Sequence, residues 1–183
     1  AKPDGDMRPN IIPSLMFAGS NCGKAEDAIN FYTSVFKNTQ RGITARYGKN
    51  QAPDAENNIM FADFMIENMW FAIMESARVP VLFNEAISFV VRSEDQEEID
   101  YYWQKLSADP KSEQCGWLKD KFGLSWQIVP KLMDTIMRDQ DKKAQERVTK
   151  EFLKMKETSE SKLKREEKEL KEYERLRKKF EKS

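Results

Sequence analysis

No histidine occurs in the 183 residues of this chain, which removes the commonest general base and the commonest metal-binding side chain together. Cysteine is almost as scarce. Cys22 and Cys115 are the two in the chain; they are too far apart for a CxxC redox or zinc motif, and both are expected to be free thiols. No apolar run reaches the roughly 18 residues of a membrane span, and the first twenty residues lack a basic start followed by an apolar stretch. Net charge is lacking too: 31 basic and 31 acidic side chains cancel, and the pI is about 6.7. Nothing in that balance calls for nucleic acid as a partner. A soluble cytoplasmic protein with no membrane attachment is the expectation.

What is present is a body with an appendage. Residues 141–183 hold 16 of the basic and 11 of the acidic side chains, leaving 15 and 20 in the first 140 residues, so a mildly acidic body precedes a mildly basic tail. The length suits one core plus an extension. Ala1 to Asp6 is polar, with Pro3 and Gly5, and precedes a methionine, so residues 1–7 read as a flexible leader. Ile11 to Phe17 is apolar with Pro13 inside it, which suits an edge strand. Apolar residues at Ala25, Ala28, Ile29, Tyr32, Val35 and Phe36 follow the spacing of one helical face. Gly42 to Tyr47 is a candidate strand, and Lys49 to Asn57 a loop. Ile59–Ile66 and Met69–Glu75 are β-compatible runs joined by Glu67 and Asn68, the length of a two-residue hairpin loop. Val79 to Glu85 is a connector.

The same order then repeats. Ala86 to Val91 reads as a strand buried on both sides. Ser93 opens a helix with Gln96 three residues on, at capping-box spacing, and Ile99, Tyr102, Trp103 and Leu106 form its apolar stripe. Gln114 to Leu118 is a short strand, Lys119 to Gly123 a turn, and Leu124 to Val129 a last strand. Strand, helix, strand, strand, strand is thus expected twice, offset by about 75 residues. From Lys131 to Met155 the residues are helix formers. Beyond Lys156, Leu163 and Leu170 and then Tyr173 and Phe180 are seven apart, with Glu166 and Arg177 interrupting, as in a solvated charged helix or a surface for a protein partner.

The segments KAEDAINFYTSVF, FNEAISFVVRSEDQEEIDYYWQKLS and EQCGWLKDKFGLSWQIVP resemble the PhnB-like branch of the vicinal oxygen chelate, or glyoxalase-like, superfamily. Members of that branch often carry the label 3-demethylubiquinone-9 3-methyltransferase. The resemblance spans Arg8 to Met155, while the tail from Lys156 to Ser183 departs from it. It implies an α+β fold of paired βαβββ modules, about 8–78 and 83–130, forming a cupped sheet, with a C-terminal helical extension, usually in a homodimer. In metal-dependent relatives four cup side chains, His, Glu or Gln, bind a divalent ion. The corresponding slots here lie near Pro13, Met74 or Glu75, Ala86 and Gln127. Only Gln127 and Glu75 could donate an oxygen, so no metal and no cofactor are expected. The methyltransferase label would call for a glycine-rich nucleotide turn, and Gly19 and Gly23 are too loosely spaced to make one.

The cup that this fold implies has candidate linings. Trp70, Phe89, Trp103, Trp117 and Trp126, with Gln127, are the candidate ligand-binding residues for a small apolar or aromatic molecule; the competing reading assigns the aromatic ones to the core and a dimer interface. Asp63, Glu75 and Gln127 are the polar groups expected to face the cup, and Asp63 or Glu75 is a candidate base if buried there. Cys115 reads as a buried thiol, with Lys119 or Lys121 as its only conceivable activators.

Overall fold

The computed structural model describes residues 7–131, together with Met133, Glu146 and Lys150, which are helical. The remainder of the helical segment expected over 131–155, and the charged tail 156–183, lie outside the described residues. Among the described residues no helix is long and apolar enough to cross a membrane.

Local sequence accounts for most of the elements. Strand β1 (Ser14–Ala18) begins directly after Pro13 and is an edge strand, as the proline suggests. Helix α1 (Ala25–Val35) buries Ala25, Ala28, Ile29, Tyr32 and Val35, and Glu26 and Asp27 in its first turn favour the positive end of its dipole. Strand β2 (Gln40–Arg46) carries an irregularity between Arg41 and Thr44, where Gly42 sits. Strands β3 (Ile59–Ile66) and β4 (Met69–Ser76) form the expected hairpin. Glu67 and Asn68 both take positive φ, 47° and 61°, which matches the right-handed twist of the flanking strands.

The second half repeats the plan with differences. Strand β5 spans Ser88–Ser93, helix α2 Gln96–Leu106, β6 Trp117–Lys119 and β7 Ser125–Pro130. β5 is not buried on both sides: Ala86 and Ile87 precede the strand and are exposed, and Val90 is 47% exposed. Its position at the edge of the sheet leaves one face uncovered. The cap of α2 is Asp95, not Ser93; the Asp95 carboxylate accepts from Glu98 N at 2.9 Å, and Glu98 accepts from Glu94 N at 2.9 Å. Ser93 stays in the strand with no exposed surface. Gln114 to Gly116 is a turn rather than a strand, with reciprocal hydrogen bonds between Gln114 and Trp117. The second copy therefore has three strands, and between α2 and β6, where the first copy has β2, it has only the short 3-10 turn Pro110–Ser112 and the reversal at Gln114 to Gly116.

The sheets are ordered β1-β4-β3-β2 and β5-β7-β6. In each, the first strand lies parallel to the last strand of its own module, joined by a helical crossover. One apolar cluster serves both. Phe71 of β4 meets Phe89 of β5 edge to face, with centroids 5.0 Å apart, and Phe17 meets Phe122 at 5.4 Å. Tyr32 of α1 stacks on Phe64 of the first sheet and lies 5.6 Å from Trp126 of the second. Each large side chain fully buried here contributes on the order of 2 kcal/mol.

A buried carboxylate fixes how the modules meet. Asp120, 3% exposed, accepts through Oδ2 from the Tyr32 hydroxyl at 2.7 Å and from Trp126 Nε1 at 2.9 Å. Its Oδ1 accepts from Phe122 N at 2.9 Å and Leu124 N at 3.1 Å. Burial pushes the Asp120 carboxyl up, and the four donors oppose that rise. Nearby, Asn21 Nδ2 donates to the Phe122 carbonyl at 2.7 Å. Burial also pushes the Tyr32 phenol well above its usual 10.0, and the Asp120 charge adds to it; Tyr102, raised chiefly by burial, is pushed up to about 12. A phenol whose folded-state value is raised contributes stability that is complete below pH 10 and is lost as pH rises, because the unfolded chain ionises first. Tyr32→Phe should cost about 1–2 kcal/mol at neutral pH by taking one donor from Asp120. In urea unfolding above pH 10 that gap between wild type and variant should narrow, by up to ~1.4 kcal/mol per pH unit; a constant gap would place the Tyr32 proton elsewhere.

Candidate functional site

Alternation along each strand, combined with the pairing register, sorts the side chains onto two faces. In the first sheet, Leu15, Phe64, Phe71 and Ile73 point into the shared core, and Met16, Asp63, Met65, Trp70 and Met74 share the opposite face. In the second, Phe89, Val91, Leu118, Trp126 and Ile128 point inward, and Ser88, Val90, Trp117, Lys119, Ser125 and Gln127 lie on the outward face.

This sorting divides the proposed cup lining. Trp126 is 2% exposed and committed to the core through Tyr32, Phe36 and Asp120. Phe89 packs on Phe71 and Trp126, and Trp103 of α2 packs on the same cluster. These three are scaffold. Trp70, Trp117 and Gln127 do occupy outward faces, on two different sheets. Trp70 is 6% exposed, and the Arg8 guanidinium carbon lies 3.2 Å from its ring centroid. Trp117 and Gln127 are paired neighbours on β6 and β7 and are both half-buried.

The two candidate bases prove to be structural acceptors. Glu75 shares the parity of Ile73 and so lies on the core face, opposite Phe17. Its Oε1 accepts from Ala25 N at 2.9 Å and its Oε2 from Ile59 N at 2.6 Å. The N-cap residue of α1, Lys24, makes no side-chain cap, so Glu75 supplies from a distant strand the acceptor that an orphan helix amide needs. Asp63 does face outward, where it pairs with Arg8 through two contacts of 2.8 and 3.3 Å and accepts from Ile43 N at 2.8 Å. Asp54, which sequence reasoning passed over, accepts from Ala77 N and from Arg78 Nε, both at 2.8 Å; the Ala77 amide leads in holding its carboxyl below the usual range. Asp120 was missed as well, although an acid directly before a glycine-containing aromatic turn is a recognisable acceptor for turn amides.

On the outward face of the second sheet, Gln127 Nε2 donates to Ser88 Oγ at 2.7 Å. Ser125, between Ser88 and Lys119 in the register, is fully buried, and its hydroxyl has no hydrogen-bond partner among the described residues. Lys119 pairs with Glu85 and holds its carboxyl below the usual range. Cys115 sits at the tip of the turn with φ 51°, followed by Gly116 at 83°, and is half-buried rather than buried, because the tight reversal puts it outside the strand. Burial pushes the Cys22 thiol up, with Glu75 and Asp54 adding to it, the opposite of what activates a thiol as a nucleophile.

A divalent ion does not fit these residues. Of the slots implied by the resemblance, Pro13 and Ala86 have no donor side chain, Glu75 points into the core with both oxygens engaged, and Gln127 is a lone amide. Among the described residues no three of His, Cys, Asp and Glu cluster as a metal site.

Comparison with known proteins places this arrangement. A family model described as 3-demethylubiquinone-9 3-methyltransferase matches residues 9–129. A solved putative 3-demethylubiquinone-9 3-methyltransferase, PhnB protein, from Bacillus cereus is 34% identical, with a TM-score of 0.56 over 67% of this chain and 99% of that one. A solved protein from Pseudomonas aeruginosa is 17% identical, with a TM-score of 0.51 over 68% and 98%. No curated protein sequence matches.

Glu75→Gln replaces one oxygen with an amide that faces a backbone N–H. The expected loss is about 1–3 kcal/mol in chemical denaturation; unchanged stability would return Glu75 to the list of free carboxylates.

Proposed function

The chain belongs to the 3-demethylubiquinone-9 3-methyltransferase, or PhnB-like, family and has its glyoxalase-like fold, and from that premise we propose that it is a cytoplasmic, homodimeric, metal-free protein that binds a small apolar or aromatic molecule in its cup. The observation that carries this reading is the pairing of Trp117 with Gln127 on an outward sheet face. Trp117 offers a ring surface, and the Gln127 amide offers a polar contact beside it, which is the composition of a small-molecule site: mostly apolar with few placed polar groups. Asp63 and Glu75 are both engaged elsewhere, so proton transfer through either forms no part of this reading. The donor set described above supports the metal-free character.

The homodimer is supported by apolar surface along the edge strand and its approach. Leu82 is 58% exposed, Ile87 69% and Val90 47%, a concentration that a second copy would cover. A dimer is expected in sedimentation, and Val90→Lys should weaken its association by about tenfold or more; a monomer at micromolar concentration would refute the dimeric state.

Native mass spectrometry of the purified protein tests the ligand. A small-molecule adduct is expected, reduced by about tenfold or more in Trp117→Ala, with no stoichiometric zinc or nickel in elemental analysis of the same sample. An adduct equally abundant in the variant would move the site away from the second sheet.

A further inference from the structure

Of residues 7–11, which lead into β1, all but one are exposed, and Ile12 and Pro13 after them are half-buried. Met7 is 88% exposed and Ile11 90%, and Pro9 and Asn10 are exposed as well, yet the Arg8 side chain between them is only 2% exposed. Arg8 is the anchor of the exposed part of the segment, whose other end is held where the Pro13 carbonyl accepts from Ala72 N at 2.8 Å.

The place that receives it is built for its shape. Asp63, with a fully buried side chain, takes the guanidinium by Nε at 2.8 Å and Nη2 at 3.3 Å, the two-point geometry that a planar fork allows and an ammonium does not. The Trp70 ring forms the second wall, 3.2 Å from the guanidinium carbon. Gly42 forms the third by having no side chain. A Cβ there would overlap Asp63 Oδ1 and lie 2.5 Å from Arg8 Nη2. Asp63 is in turn held by the Ile43 amide, donated from the same bulge in β2. Carboxylate, aromatic face and missing side chain come from three strands, β3, β4 and β2, so the cradle belongs to the rigid sheet while the group filling it belongs to the segment outside.

We propose that Asp63, Trp70 and Gly42 form a receptor for a flat delocalised cation of the guanidinium class, and that Arg8 fills it in cis. The seven-residue stretch 7–13 is then a strap whose displacement exposes the outward face of the first sheet. A guanidinium-bearing ligand competes with Arg8 for the same contacts. This site lies on a different sheet from the Trp117–Gln127 surface, so the failure of either reading leaves the other standing.

Chemical rescue tests it. Arg8→Ala opens the cradle without touching its walls. Millimolar methylguanidinium chloride, against sodium chloride at equal ionic strength, should raise the melting temperature of the full-length Arg8→Ala protein by about 3 °C. The wild type, whose cradle is occupied, should not respond, nor should Arg8→Ala/Asp63→Asn, which lacks the carboxylate. Equal shifts in all three proteins, or none in Arg8→Ala, would overturn the proposal. If Arg8→Ala does not fold alone, refolding with and without methylguanidinium gives the answer: recovery only with the cation supports the receptor, and no recovery in either overturns it.

Discussion

The Asp120 carboxylate has been taken out of water and resolvated by the protein: Tyr32 and Trp126 donate to one oxygen and the amides of Phe122 and Leu124 to the other. An ionised or strongly polar group at that depth is tolerated only when its acceptor sites are filled. The geometry that fills them involves both modules, since Tyr32 lies on the first helix and the other three donors on the second sheet and its turn. Apolar contact alone would let α1 slide over β7 at little cost, because burial is non-directional. The hydroxyl of Tyr32 gives that contact a register, and the Asn21 bond to Phe122 and the Tyr101 bond to the Val35 carbonyl hold it at either side.

Once the modules are joined in this way, the fate of the other polar groups follows. Glu75 falls on the inner face at the level of the start of α1 and becomes that helix's acceptor. Asp63 falls on the outer face beside the bulge of β2, where Gly42 leaves room for a guanidinium. Both carboxylates are therefore part of what keeps the scaffold in shape. On the outward face of the second sheet a half-buried tryptophan and a glutamine stand side by side, groups suited to ring stacking and amide contacts rather than to charge.

Much of this architecture is legible in the chain. The helical spacing from Ala25 to Val35, the Glu67–Asn68 hairpin and the edge character of a strand that follows Pro13 are read from residues within a few positions of one another. The repeated order is legible as well, except that the second copy has three strands and not four. Errors arose where a nearby alternative competed: Ser93 with Asp95 for the cap of α2, where Asp95 stands directly before the first helical residue, and a strand with a turn at Gln114 to Gly116, where Cys115 takes a left-handed conformation that its residue type seldom adopts.

The site was legible only as an inventory. Alternation states that Glu75 and Met74, or Trp126 and Gln127, face opposite ways, but not which of each pair faces the core. That depends on what lies across the sheet, and here it made Trp126, Phe89 and Trp103 scaffold while leaving Trp117 and Gln127 outside. The partners that gave the acids their roles are 88 residues away for Asp120, 55 for Asp63 and 50 for Glu75. The sequence by itself determined the elements and their order, because helix spacing, turn conformation and strand alternation are settled by neighbours along the chain. Tertiary structure alone decided which carboxylates are occupied and which faces are open, because a buried charge takes its role from the donors that folding brings within about 3 Å of it.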